Sequence, residues 1–288
     1  MRVTLLGTGC PIADVHRYGP ATLVEAGDQA WLVDCGSGVT QRLLGHGLNG
    51  ARLTGLLLTH LHSDHTVDFI QLLISGWHQG RQGPLAVHGP ARSAKFLGDL
   101  LAAWQPEFDQ RVAHEKRDPA GLRVAVEEID GHWRLEREGL IITNTEVAHQ
   151  PIPQSFGYRF DHEGASVVIS GDTAYCPELI GLAEGCDLLV HEVLVHQAYL
   201  ARRGRSEGAD NVRVYHTASD EVGRVAREAG AGALALTHFV PTVFDRAQLA
   251  ADVRAEYQGP LFIGEDLLSL EVRRGSVALI RSGVQGHP

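Results

Sequence analysis

The sequence predicts an α/β fold, and three observations carry that expectation. Short apolar runs end repeatedly in polar turns, helical spacing follows several of those turns, and histidines and aspartates gather where the runs stop. The runs read as strands, the periodic stretches as helices, and the polar turns as one edge of a sheet.

Residues 3–6, 21–25 and 29–34 are β-rich, and Gly27-Asp28 joins the last two in a hairpin-like turn. Residues 54–59 form a continuous apolar run, as a strand covered on both faces would. Val67, Ile70, Ile74 and Trp77 then recur at helical spacing, which places the block from His60 to His65 on the loop between strand and helix. The stretch 104–123 is polar and carries Pro106 and Pro119, so it reads as a surface excursion. Strands resume at 140–145, 156–160 and 166–170, and two β/α units follow. In the first, Gly171-Asp172-Thr173 leads to a helix with Pro177 at its first position and Gly185 past its end. Residues 187–193 return as a strand. In the second, Thr217-Ala218-Ser219-Asp220 reads as a capping-box start to a helix bearing Val222, Val225, Ala226 and Ala229. Residues 233–237 then form a strand ending at His238. No linker or internal repeat divides the 288 residues, so one domain over 1–288 is expected.

Composition narrows the partners. A formal net charge of −10 leaves no basic excess of the kind that grips a long nucleic acid, because phosphate neutralisation supplies most of that affinity. A long nucleic acid is therefore not the expected partner. A small anionic ester remains open, since a metal centre supplies local positive charge. Apolar runs such as Leu56-Leu57-Leu58 are far too short for a membrane span. The N-terminus lacks the features of a secretory signal, and Cys10, Cys35, Cys176 and Cys186 show no CxxC spacing. No membrane partner and a reducing cytoplasm are the expectations.

Seven residues carry the chemistry: His60, His62, Asp64, His65, His149, Asp172 and His238. Imidazole and carboxylate suit zinc, and admit manganese or iron. Each segment follows an apolar run, so loops at one edge of a rigid sheet can aim all seven at a common point. A site for two metal ions accounts for the whole set, which unrelated surface histidines would not. Gly171 permits close backbone approach beside Asp172. The histidines at 16, 46, 78, 88, 114, 132, 162, 196 and 287 have no motif context and read as surface or structural groups.

Together with Leu6-Gly7-Thr8-Gly9, Val33-Asp34-Cys35-Gly36, Phe156-Gly157-Tyr158-Arg159-Phe160, Ser170-Gly171-Asp172-Thr173, His191-Glu192 and His216-Thr217, the chain resembles the metallo-β-lactamase fold superfamily. The resemblance lies with the branch that holds tRNase Z and the zinc-dependent arylsulfatases. It implies a four-layer αβ/βα sandwich, two packed mixed β-sheets flanked by helices. It also implies two zinc ions, one on His60, His62 and His149 and one on Asp64, His65 and His238. Asp172 and a hydroxide would bridge them, with Asp34 bracing the ligand loop. His216 would act with His191-Glu192 in proton transfer to the leaving group, which makes Asp64, Glu192 and His216 the expected catalytic residues. A homodimer is implied too. The arm with which tRNase Z grips RNA belongs between the equivalents of Phe160 and Ser170, where this chain has room only for a short turn. The leading expectation is therefore hydrolysis of small phosphodiesters or aryl sulfate esters through a metal-bridging hydroxide. A tRNA 3′-processing endoribonuclease comes second, and lactone, thioester or β-lactam hydrolysis third.

Overall fold

The computed structural model describes residues 1–204 and 211–280. Its strands are β1 (Arg2–Gly7), β2 (Ala21–Ala26), β3 (Gln29–Val33), β4 (Gly55–Leu57), β5 (Leu85–Gly89), β6 (Val124–Glu128), β7 (Arg134–Arg137), β8 (Leu140–Glu146), β9 (Phe156–His162), β10 (Ala165–Ile169), β11 (Leu188–Leu194), β12 (Leu234–Val240), β13 (Leu261–Ile263), β14 (Leu268–Arg273) and β15 (Ser276–Ile280). The described α-helices are α1 (Val39–His46), α2 (Ser63–Thr66), α3 (Phe69–His78), α4 (Ser93–Glu115), α5 (Pro177–Leu182), α6 (His196–Arg203), α7 (Ser219–Glu228) and α8 (Arg246–Arg254).

One sheet runs β15-β14-β1-β2-β3-β4-β5-β6 and the other β13-β12-β11-β10-β9-β8-β7. Both are mixed. β3 through β6 pair in parallel, as do β10 through β13, while the hairpins around them are antiparallel. Between the sheets lies an apolar layer that includes Trp31, Leu57, Phe156, Tyr158 and Phe160. A second layer on the outer face of the first sheet includes Leu43 of α1, Phe69 and Leu72 of α3 and Leu97 of α4. A third, on the outer face of the other sheet, includes Leu179, Val222, Val225, Leu249 and Val253 from α5, α7 and α8. Helix, sheet, sheet and helix thus form the expected four layers. Each fully buried large side chain contributes roughly 1.5–3 kcal/mol by leaving water, so these layers hold the loops above them to fixed positions.

Three sequence expectations change. The stretch 104–123 is not an irregular excursion: α4 runs through Pro106 to Glu115, mostly exposed, with Phe108 buried against Trp77 and Leu122. A proline inside a helix removes one backbone N–H bond and crowds the preceding turn, yet this helix continues beyond it. The capping box at Thr217 does not form either. Ala218 is the residue before α7, and the Thr217 hydroxyl donates to Thr173 O at 2.7 Å. Finally, the strand expected to stop at His238 continues to Val240. The β9–β10 connection is a two-residue turn at Glu163 (φ 51°) and Gly164 (φ 78°), so no extended arm leaves the sheet there. No described helix is long and apolar enough to cross a membrane, and all four cysteines are buried and free.

Candidate metal centre

Parallel strands deliver their carboxyl ends to one edge, the usual place for a site in an α/β sheet. Asp34 follows β3 at φ 64°, a left-handed conformation uncommon for a non-glycine residue. The block after β4 supplies His60 and His62. A one-turn helix, α2, whose cap is His62, then presents Asp64 and His65. At Gly171, after β10, φ is 61°, and a Cβ there would sit 2.5 Å from Phe156 O. Only glycine lets the chain turn this tightly beneath Asp172. His238 lies at a β-bulge: Glu192 pairs with Thr237 and Val193 with Phe239, leaving His238 as the extra residue at φ 44°. Bulges re-aim side chains beside functional sites, and strained φ values cluster there.

Three hydrogen bonds tie the two sheets at this edge. Phe156 N–H donates to Thr59 O (2.9 Å), Phe239 N–H to Thr8 O (3.0 Å), and the Tyr158 hydroxyl to Leu58 O (2.8 Å).

All seven expected ligands meet. His60 Nε2 lies 2.9 Å from His62 Nδ1, and His149 Nε2 lies 3.3 Å from the same atom. His238 Nε2 is 3.3 Å from both Asp64 Oδ2 and Asp172 Oδ2. His65 Nε2 is 3.4 Å from Asp172 Oδ2 and 3.6 Å from Asp64 Oδ2, and His149 Nε2 is 4.0 Å from Asp172 Oδ2. Two triads result, His60/His62/His149 and Asp64/His65/His238, with Asp172 reaching both. All are buried except His62, which is half-buried.

The outer nitrogens decide which ring atoms face inward. Tyr215 O lies 2.8 Å from His149 Nδ1; a carbonyl can only accept, so that nitrogen carries the proton and Nε2 keeps its lone pair. Asp34 Oδ2 likewise accepts from His65 Nδ1 at 2.8 Å. Thr59 donates its hydroxyl to the same carboxylate at 2.9 Å and its N–H to Oδ1 at 2.8 Å. With its proton committed, the hydroxyl oxygen accepts from His60 Nδ1 at 3.0 Å. Asp34 therefore orients His65 directly and His60 through Thr59, the outer arrangement that fixes metal-binding imidazoles. His65 Nε2 is buried with no hydrogen-bond partner among the described residues. Inward lone pairs from imidazoles, joined by two carboxylates, fit a divalent cation and little else.

Electrostatics divide the cluster: burial lowers His65 and His238, but the Asp172 carboxylate and its acidic neighbours outweigh it and raise both above the ordinary imidazole value, so a cation would have to displace a proton from each. Burial would raise the Asp172 carboxyl, but His238 and His65 outweigh it and hold it well below the usual carboxylate range. Burial pushes His60 well below the ordinary imidazole value, which favours a neutral ring.

Beside the triads stands a second pair. Glu192 Oε1 accepts from His216 Nδ1 (2.9 Å), Thr173 N–H (3.1 Å) and Thr217 N–H (3.2 Å). The His216 ring stacks on His238, centroids 5.7 Å apart, and meets His149 edge-on. Burial lowers His216, yet the Glu192 carboxylate outweighs it and raises the imidazole to about 9. Of the expected His191-Glu192 unit, only Glu192 joins the site. Strand alternation turns His191 to the other face, and its Nδ1 bonds Glu192 O at 2.7 Å. Elsewhere His46 pairs with Glu25 and His88 with Glu127, while His287 lies outside the described residues. Sequence reasoning missed two groups, the Thr59 hydroxyl and the Tyr215 carbonyl. Thr59 directly precedes the ligand block and was open to inspection; a backbone carbonyl leaves no residue-type signal.

A helix-flanked double sheet with a histidine–aspartate cluster at its carboxyl edge defines the class of metal-dependent hydrolases. The comparisons agree with that class. A family profile described as "Beta-lactamase superfamily domain" matches residues 30–239. A Mycobacterium bovis protein named Ribonuclease Z is 36% identical over 277 residues, covering 94% of this chain and 98% of its own. One of the same name from Mycolicibacterium gilvum is 38% identical over 291 residues, covering 96% and 98%. Among solved structures, human tRNase Z, short form, superposes with a TM-score of 0.71 at 21% identity, covering 95% of this chain and all of that one. The Bacillus subtilis metallo-β-lactamase fold protein YhfI reaches 0.73 at 23%, covering 94% and 99%. The chain belongs to the metallo-β-lactamase superfamily, in its ribonuclease Z branch.

This overturns the leading expectation of a small phosphodiester or aryl sulfate esterase. Relatives matched end to end are named Ribonuclease Z, and the M. bovis chain, 98% of which aligns here, has no room for a long extra arm either. The short β9–β10 turn was a poor discriminator.

Proposed function

We propose that the protein is a metal-dependent endoribonuclease of the ribonuclease Z kind, cutting a precursor tRNA near its 3′ end, with two zinc ions as its cofactor. The carrying observation is the His216–Glu192 pair set against two triads that share Asp172. A phosphodiester expels an alkoxide, a poor leaving group that needs a proton, and a carboxylate-held imidazole supplies one.

The chemistry that a bound zinc pair supplies is polarisation of the phosphoryl group and activation of water. The chain's own residues do the rest. Asp172 serves both triads, and Asp34 and Thr59 keep His65 and His60 in the ligating tautomer. For Asp64, burial raises the carboxyl, but His238 and His65 bring it below its ordinary value, so it stands ionised as acceptor for the attacking water's proton. Glu192 holds the Nδ1 proton of His216, which directs Nε2 to the cluster and to the departing oxygen. The overall negative charge does not oppose this reading, because the phosphate undergoing attack meets the centre and not the average surface.

The test is incubation of zinc-loaded protein with a precursor tRNA bearing a 3′ trailer, with zinc counted by elemental analysis. A single cut near the trailer junction, abolished in Asp172→Asn, is expected. Protein that holds two zinc ions and leaves the precursor intact would overturn the proposal.

A further inference from the structure

One groove takes in Asp64 of the second triad, another lies beside the segments that carry the first, and the two differ in charge. Beside Asp64, about 440 Å³ is bounded by Cys10, Asp14, Arg17, Tyr18 and Ser63. The one cation there is occupied: Arg17 Nη1 donates to Thr8 Oγ1 (2.6 Å) and Gly264 O (3.0 Å), and its guanidinium lies over Phe239. On the His60/His62/His149 side, a groove of about 530 Å³ is lined by Leu61, Arg92, Lys95, Phe96, Ile152 and Pro153. Leu61 sits between two ligands in the chain, and Ile152 N–H bonds His149 O at 2.9 Å, so this groove borders the two segments that carry the first triad. Arg92 is exposed and adopts φ 76° at the start of α4. Its side chain makes no ion pair or hydrogen bond among the described residues. Lys95 is exposed and pairs only with Asp99, at 2.6 Å. Left-handed backbone at a non-glycine residue marks a place where position outweighs local comfort.

We infer that this groove is the subsite for the nucleotide next to the scissile phosphate, with Arg92 and Lys95 on its phosphate and Phe96 beneath its base. The inference rests on the ribonuclease reading and adds the residues that would seat the strand. Cations that track a backbone beside an aromatic platform are the general pattern for single-stranded nucleic acid. Surface pairs such as Lys95–Asp99 contribute little, so a phosphate displaces Asp99 readily.

The experiment measures binding of a labelled single-stranded oligoribonucleotide to zinc-loaded full-length protein on ice, at several salt concentrations, alongside precursor cleavage. The double variant Arg92→Ala/Lys95→Ala is expected to bind on the order of tenfold more weakly, and its salt slope to fall by about 0.7, the contribution of one phosphate on a single strand. Phe96→Leu, which keeps an apolar side chain but removes the aromatic face, weakens binding several-fold without moving the slope. Arg134→Ala/Arg137→Ala, an equal charge change on β7, alters neither. Unchanged affinity and slope in the Arg92/Lys95 variant, equal losses in the β7 control, or wild type that binds no RNA would each overturn the subsite. Wild type that binds the oligoribonucleotide but cuts no precursor sinks the ribonuclease reading alone; the subsite is then decided by the binding data.

Discussion

Replacing Asp34 by asparagine tests the logic of the centre with a change of one atom. The carboxylate takes three donors: Thr59 N–H on Oδ1, and the Thr59 hydroxyl and His65 Nδ1–H on Oδ2. Asparagine offers one oxygen and one NH₂ group. If the oxygen stays opposite Thr59 N–H, the new N–H groups face His65 and force its proton onto Nε2, the atom aimed at Asp64 and Asp172. If the amide flips, the Thr59 N–H loses its acceptor and the loop carrying His60 shifts. Either way a ligand is misdirected. Loss of such an outer partner weakens metal binding about 10–100-fold, or roughly 1.4–2.8 kcal/mol at about 1.4 kcal/mol per decade. An unmet buried donor also destabilises the metal-free fold by about 1–3 kcal/mol. Zinc affinity is read by chelator competition, and the fold by urea unfolding of the metal-free protein. Zinc affinity within about threefold of wild type would refute the claim that Asp34 sets these tautomers.

Three further outcomes follow from the same geometry. Glu192→Gln should move the alkaline limb of the pH–rate profile to lower pH, because Glu192 outweighs burial in raising His216 to about 9 and a proton donor works only below its own pKa; an unmoved limb removes Glu192 from that role. His216→Ala should lower kcat by about 10²–10⁴-fold while zinc content stays at wild type, and loss of zinc would instead make His216 a ligand. Gly171→Ala combines a positive φ with overlap against Phe156 O, so unfolding should become easier by about 2–5 kcal/mol; a shift under about 1 kcal/mol in urea titration would show that the turn relaxes freely.

How much was legible depended on where each signal lived. The seven ligands were visible because residue type and spacing carried them, and the runs before them located the strand ends. Gly171 was legible as a point of close backbone approach, whereas its left-handed φ of 61° was not. The bulge at His238 was not, since the run from Ala233 to Thr237 looks the same whether the strand stops or continues past an extra residue. The helix α4 was hidden by Pro106, a residue that interrupts the pattern more than it interrupts this helix. Thr217 illustrates tertiary override: its hydroxyl serves Thr173 O rather than its own helix, which no local motif reveals. Substrate class was not legible for a different reason: a net charge of −10 describes the average surface and a short turn describes one connection, and neither describes the site.

The distribution of ligands along the chain has a mechanical consequence. Two of the first triad, His60 and His62, come from the loop after β4, and the third, His149, from beyond β8. Asp64 and His65 likewise belong to the segment after β4, and His238 to β12 of the other sheet. A cation in either place therefore clasps the two leaves of the sandwich together, and the first equivalent of zinc should already slow amide exchange on both sides of the seam.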